Sequence, residues 1–250
     1  METWNRKVNM EAIRWSEYFK GKGYRSILLK GQGAANLYPN PLHRNPGDID
    51  LWVIGDTDTV RDIVVHEIGA DSISFHHICV HGEVELEVHT TPSWMYSYPR
   101  NRKLQKLFKE WEESPKQSAL HDAGNIYIPS DEMNRVYMLI HMYRHVFGSG
   151  IGLRQMMDYA MLLKKGCTDN DRKIFLKNVK SLNIHRFAGA VMFVMKEVFQ
   201  LDEKLLLTYP DEKRGKKLLD SILCGGNFGN YDFSFKESQE KGAVNFIKRQ

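Results

Sequence analysis

Asp48 and Asp50 stand two apart in Gly47-Asp48-Ile49-Asp50-Leu51-Trp52-Val53, where apolar residues alternate with the acids. Residues two apart on a strand project from one face, so both carboxylates point the same way at a separation that one cation, or a pair, can bridge. Left alone the charges repel and raise each other's pKa; a divalent ion turns the repulsion into a binding site. Mg²⁺ suits this pattern because it takes one or two carboxylates plus substrate phosphates. Two such ions about 3.5 to 4 Å apart stabilise both the attacking and the leaving oxygen in phosphoryl chemistry. A third carboxylate from a neighbouring strand completes the set, and Glu87 is the choice. It sits centrally in residues 83–89, where Val84, Leu86 and Val88 alternate with Glu83, Glu85, Glu87 and His89. Glu83 and Glu85 share that face, with ordinary solvation as their alternative.

The residues upstream supply a place for phosphate. A strand over 24–29 runs into Lys30-Gly31-Gln32-Gly33, where glycine permits a tight turn and close backbone approach to a ligand. Gly31 and Gly33 are expected to expose backbone N–H groups, and a short helix over 34–38 to aim its positive end at an anion. Lys30 and Arg44 are placed to neutralise triphosphate charge, with Arg44 also capable of bidentate contact. Residues 39–47 hold three prolines, two asparagines and a glycine, the composition of a loop.

The elements that must hold these groups follow from periodicity. Trp4, Val8, Ala12, Trp15 and Phe19 recur at helical spacing and stop at Gly21 and Gly23. Residues 48–54 form a strand, and 72–80 and 83–89 form a hairpin around His81-Gly82. From about Asn101 the pattern turns helical, with a domain boundary between 92 and 125; the catalytic part is taken as 1–115 and the helical part as 116–250. Ser130 caps a helix with Met133, Val136, Ile140, Tyr143 and Phe147 on one stripe. Further helices are expected over 153–163, 171–182, 185–200 and 211–223. The polar, lysine-rich segment after Gly229 reads equally as a tail or as a further helix.

Composition excludes several classes. Over 250 residues, 42% hydrophobic and 26% charged residues describe an ordinary globular chain. A formal charge of +4 and a pI near 8.8 suit an anionic substrate but fall short of a nucleic-acid-binding signature. Cys79, Cys167 and Cys224 form no CxxC pair, which indicates neither a zinc cage nor a disulfide framework and fits a reducing cytosol. No run approaches the ~20 apolar residues of a membrane span. The expectation is a soluble cytoplasmic protein.

Leu28-Leu29-Lys30-Gly31 with Gly47-Asp48-Ile49-Asp50-Leu51-Trp52-Val53 resembles the nucleotidyltransferase superfamily related to DNA polymerase beta: a hydrophobic strand, Gly-Gly or Gly-Ser, then Asp-x-Asp. More narrowly it resembles a poorly characterised bacterial branch with Leu-Lys-Gly, an Arg before Asp-Ile-Asp, an acid-x-His strand, and a helical region with two histidines and an Arg. Here these read as Leu29-Lys30-Gly31, Arg44, Glu87-Val88-His89, then His141, His145 and Arg154 to Asp158. Three departures stand out. Gln32 occupies the usual Gly or Ser position, the link from Gly31 to Asp48 is longer than in compact members, and the third acid is Glu.

The resemblance implies an α+β fold, a polymerase-beta-like mixed sheet flanked by helices and followed by a mostly α-helical domain. It implies two Mg²⁺ ions held by Asp48, Asp50 and Glu87, with Glu87 also promoting deprotonation of the acceptor. It implies nucleotide binding by Lys30, Gly31, Gln32 and Arg44, and transfer of a nucleoside monophosphate, AMP from ATP, to an acceptor hydroxyl with release of pyrophosphate. His89, His141, His145 and Arg154 are candidates for a substrate cleft. The simpler readings are a structural His89, core histidines at 141 and 145, and an intrahelical Arg154–Asp158 pair. His141-Met142-Tyr143-Arg144-His145 lacks the glutamate of a zinc-protease helix, so zinc is rejected there. His76-His77 is a strand feature with no assigned role. Gln32 and the long loop motivate the competing reading, a degenerate module that binds a nucleotide or partner without turnover; a purely structural module is the third.

Overall fold

In α1 (Glu2–Gly21), Val8, Ala12 and Phe19 are buried on one side, and Asn5 and Asn9 are buried with them. Trp4, expected on the stripe, is instead 40% exposed, with Lys7 Nζ 5.6 Å from its ring centroid. The buried position in that turn belongs to Asn5. The chain reverses at Gly23, whose φ of 87° is open to glycine without a Cβ clash. The computed structural model describes residues 1–148 and 150–225, so the segment after Gly229, read as tail or helix, lies outside the described residues.

The sheet that follows is mixed. β1 (Arg25–Leu28) pairs antiparallel with β2 (Ile49–Ile54). The chain then crosses through α2 (Thr57–Ile63) and a π-type turn at Val64–Gly69 to β3 (Ser72–Ile73), β4 (His77–Val80) and β5 (Leu86–His89). β5 lies parallel to β2, and the strand order is β1-β2-β5-β4-β3. Segment 72–80, expected as one hairpin arm, is itself two strands: β3 folds onto β4 with Ser72 opposite Cys79. The cause is local. Ser74 donates to His77 O from both its N–H (2.9 Å) and its Oγ (3.1 Å), a turn that competes with extended pairing. β4 and β5 do pair antiparallel, but residues 81–85 connect them rather than a His81-Gly82 turn alone.

Alternation along the strands gives the sheet two different faces. Leu28, Ile49, Leu51, Val53, Ile78, Leu86 and Val88 form one core with Val8, Ala12 and Phe19 of α1 and Val60 of α2. The opposite face carries Asp50 and Trp52 on β2, Glu87 and His89 on β5, and His77 and Cys79 on β4. At the Trp52 end that face is covered by α3 (Tyr98–Trp111), where Leu104, Phe108 and Trp111 are buried and the Phe108 ring lies 6.1 Å from that of Trp52.

Residues 116–128, expected to begin a helical region, form a hairpin of β6 (Lys116–Leu120) and β7 (Gly124–Ile128). Asp122 and Gly124 turn it at φ 60° and 136°, and Leu120 and Ile126 join the core beneath α1. The chain divides into two compact units at Met138/Leu139, inside α4 (Asp131–Phe147), and this hairpin belongs to the first. Ser130 Oγ accepts from Met133 N–H at the start of α4, as expected of its cap.

The second unit is helical: the later turns of α4, then α5 (Leu153–Lys164), α6 (Asp169–Ser181), α7 (His185–Glu197) and α8 (Glu212–Gly225). Residues 188–195 of α7 are all buried, the mark of a central helix. A Cβ on Gly215 would lie 2.4 Å from Phe193, so glycine there sets how closely α8 packs on α7. Among the described residues no helix is long and apolar enough to cross a membrane.

Candidate active site

The cross-strand register brings the acids together. Asp50 on β2 lies opposite Glu87 on β5, Glu87 lies opposite Cys79 on β4, and His89 lies opposite both Trp52 and His77. Asp48 immediately precedes β2 and is about a third exposed, whereas Asp50 is fully buried. Lys30, two residues past β1, reaches back over the face: its Nζ is 2.8 Å from Asp50 Oδ2 and 3.9 Å from Asp48 Oδ2. His89 Nε2 donates to Asp50 Oδ1 at 2.8 Å and lies 3.3 Å from Glu87 Oε2, so one buried imidazole ties two carboxylates.

Lys30, His89 and Glu87 are each shifted toward their charged forms by this cluster. Burial works against the Lys30 ammonium, but Asp50 and Asp48 outweigh it and push its pKa above the lysine range. Burial likewise opposes charge on His89, and its hydrogen bonds to Asp50 and Glu87 prevail and raise its pKa. Glu87 is penalised by burial yet brought down to about 2 by the His89 hydrogen bond and the nearby Lys30. Burial also raises the Cys79 thiol.

The glycine turn differs from expectation. It is a seven-residue 3-10 segment, Gly31–Leu37, that starts at Gly31 rather than at Ala34. The helix expected over 34–38 is thus a tighter 3-10 segment with poorer hydrogen-bond geometry that begins three residues earlier. Gly33 does not present its N–H outward: it donates to Lys30 O at 2.7 Å and to Leu29 O at 3.2 Å. A Cβ there would fall 2.4 Å from Leu28 O, so glycine is required for the turn to fold back on β1. Gly31, at φ 51°, is the residue that lies against the acids, and a Cβ there would be 3.9 Å from Asp50 Oδ2.

Gln32 points its side chain the other way. It is 2% exposed, and its Nε2 donates to Asn5 Oδ1 (3.0 Å) and Asn9 Oδ1 (2.7 Å) of α1. Any contact with nucleotide is therefore left to its backbone. Asn5 Nδ2 in turn donates to Leu42 O (2.7 Å) and Arg44 O (2.9 Å), which fixes the loop that carries Arg44. Arg44 is 5% exposed, with Nη1 donating to Asn45 O at 3.2 Å. On the other side, Asn36 Nδ2 donates to Ser118 Oγ and Ala119 O, so the unexpected hairpin braces the turn.

Of the residues singled out in the sequence, Lys30, Gly31, Asp48, Asp50, Glu87 and His89 thus converge in the first unit. His141, His145 and Arg154 belong to the second, the two histidine rings 4.3 Å apart on α4 and Arg154 on α5. Sequence reasoning missed the supports Asn5 and Asn9, although two amides four apart on the buried side of an amphipathic helix are a signal. It also missed His77 and Cys79, whose alternation beside the acid strand was readable once β4 and β5 were paired.

A short mixed sheet flanked by helices, with a glycine turn leading to strand-borne carboxylates, is the architecture of nucleotidyltransferases. Residues 2–200 match the family described as uncharacterised nucleotidyltransferase, and the chain belongs to that family; it is a nucleotidyl-transferring enzyme by membership. Among solved structures it is similar to an antigenic nucleotidyltransferase-like protein from Paracoccidioides brasiliensis, at 11% identity over 84% of this chain and 94% of that one, with a TM-score of 0.45. Comparison with curated proteins gave no match.

Proposed function

We propose that this enzyme moves AMP from ATP to an acceptor hydroxyl on a small molecule, a protein or an RNA, in a reducing cytosol. The new bond joins the acceptor oxygen to the α-phosphorus; the bond from that phosphorus to the bridging oxygen breaks, and pyrophosphate leaves with the electron pair. The observation that carries this reading is Asp50 opposite Glu87 in register, with Asp48 and Lys30 beside them.

The donor set fits Mg²⁺, which takes hard oxygen ligands. Asp50 Oδ2 is fully buried with the Lys30 ammonium 2.8 Å away, which supplies positive charge at that oxygen where an ion would sit. Asp48, Asp50 and Glu87 would hold two ions, whose contribution when bound is to neutralise the triphosphate and polarise the α-phosphate. The chain's own groups do the rest. Lys30 and Arg44 balance phosphate charge, and the bare Cα of Gly31 lets the nucleotide approach Asp50. His89 orients both carboxylates, and Glu87, held ionised, accepts a hydrogen bond from the acceptor hydroxyl and helps its proton leave.

The competing binding-only module loses much of its motive. Gln32 is engaged with α1 and the long loop is held by Asn5, so both departures have structural employment. Incubation with each α-³²P-labelled triphosphate in cell extract tests the proposal. Label should pass to an acceptor with the native protein and fail to pass with Asp50→Asn; label unchanged in that variant would overturn the assignment. Tight binding of nonhydrolysable ATP with no pyrophosphate released over a broad acceptor panel would favour the binding module.

A further inference from the structure

His77 and Cys79 take no part in the transfer reaction, yet the sheet aims both at the far side of Glu87. They alternate on β4 and so share a face, and Cys79 is the direct cross-strand partner of Glu87. Glu87 spans two surroundings. Its Oε2 is 3.3 Å from His89 Nε2, on the Asp50 side, whereas its Oε1 is 3.9 Å from His77 Nε2 and 4.0 Å from Cys79 Sγ.

We propose that His77 Nε2, Cys79 Sγ and Glu87 Oε1 form a second metal centre, joined to the first through Glu87, for a borderline-soft divalent ion of the Zn²⁺ class. A nitrogen–oxygen gap of 3.9 Å is too long for a hydrogen bond, and 4.0 Å is the outer limit for a thiol donor. Tetrahedral zinc, with bonds of about 2.0 to 2.3 Å, holds its ligands roughly 3.4 to 3.6 Å apart, so the two gaps to Glu87 need close by only a few tenths of an ångström, and all three ligand atoms already lie within 4.8 Å of one another. The imidazole is already oriented for this. His77 Nδ1 is engaged by Ser74 Oγ and His76 Nε2, each at 3.1 Å, which turns Nε2 toward the carboxylate and supplies the outer hydrogen bond that metal-bound histidines use.

The donor set selects the ion. A thiolate and an imidazole favour zinc-like metals over Mg²⁺, which keeps to oxygen, so the two centres would not compete for one cation. Cys79 is 8% exposed, while His77 and Glu87 are each about a fifth exposed, which leaves a solvent side for entry and for a water as fourth ligand. Occupancy would fix Oε1 and with it the angle at which Glu87 presents Oε2 toward Asp50. The centre shares Glu87 with the proposed Mg²⁺ site, and its occupancy is read without nucleotide.

The test is titration of the reduced full-length protein with Co²⁺ in excess Mg²⁺, following the near-ultraviolet thiolate-to-cobalt band. One equivalent should saturate it and Zn²⁺ should erase it. Cys79→Ser should abolish the band, Cys167→Ser and Cys224→Ser should retain it, and His77→Ala should weaken affinity at least tenfold. A native protein without the band, a band that survives in Cys79→Ser, or unchanged affinity in His77→Ala overturns the proposal. Should Cys79→Ser fail to fold, His77→Ala, at a more exposed position, decides alone.

Discussion

Asp50 and Glu87 are direct partners on parallel strands, and the same His89 nitrogen reaches an oxygen of each. Neither carboxylate can therefore change its charge or angle without the other registering it. Asp50→Asn should lower transfer by about two orders of magnitude or more, because a neutral amide cannot hold a divalent ion. It should also lower stability by about 1 to 3 kcal/mol, since Lys30 and His89 lose a buried anionic partner. Asp48→Asn, at a more exposed position, should cost similar activity with a stability change within about 0.5 kcal/mol. Denaturant unfolding beside pyrophosphate release separates the two effects.

Mg²⁺ should stabilise the native protein by mass action, by about 2.7 kcal/mol at a concentration a hundredfold above its dissociation constant. The shift in melting temperature should vanish with chelator and in Asp48→Asn and Asp50→Asn. A shift of equal size in those variants would place the ion elsewhere.

The two glycines of the turn should fail differently. In Gly33→Ala the new methyl meets the Leu28 carbonyl at 2.4 Å, and backbone must move, so a loss of about 2 to 3 kcal/mol is expected. In Gly31→Ala the Cβ makes ordinary contacts and the left-handed φ costs about 1 to 2 kcal/mol. Its larger effect should be on nucleotide affinity, read as a rise in KM with a modest loss of melting temperature.

Gln32→Ala strands the side-chain oxygens of Asn5 and Asn9 and should destabilise by about 2 to 3 kcal/mol. A double-mutant cycle with Asn9→Ala should return a coupling near 1 kcal/mol. Additive losses would mean that the amide bridge contributes nothing.

Acid should unfold the metal-free protein through Glu87. Its pKa falls from 4.5 to about 2 on folding, so the unfolded chain binds the extra proton between those values. Stability from this group is complete above about pH 4.5 and is lost as pH falls toward 2, at most about 3 kcal/mol in all. In Glu87→Gln, equilibrium unfolding followed between pH 5 and 2 should show a slope shallower by about one proton; an identical slope would refute the linkage.

Part of this site was legible because strand alternation sets Asp48 with Asp50 and Glu87 with His89, whereas the register that puts Asp50 opposite Glu87 is a tertiary fact. What could not be read was tertiary. Nothing local shows that Gln32 turns toward Asn5 and Asn9, because that contact depends on α1 docking over the turn. The hairpin at 116–128 was missed although Asp122-Ala123-Gly124 marks its bend, since its strands are short and largely polar and only Leu120 and Ile126 enter the core. The break at Ser74 was hidden for a related reason: a serine hydroxyl that closes a turn looks, in sequence, like one on a strand's outer edge.

The amino-terminal helix reaches far along the chain, with Asn5 grasping the carbonyls of Leu42 and Arg44, and Asn9 that of His121. Such distant clasps close only when most of the first unit has already condensed. Cleaving the peptide near Gly23 would thus unlatch the loop around Arg44 while sparing Asp48, Asp50 and Glu87. Slowed amide exchange in α1 becomes a gauge of whether the catalytic turn is assembled at all.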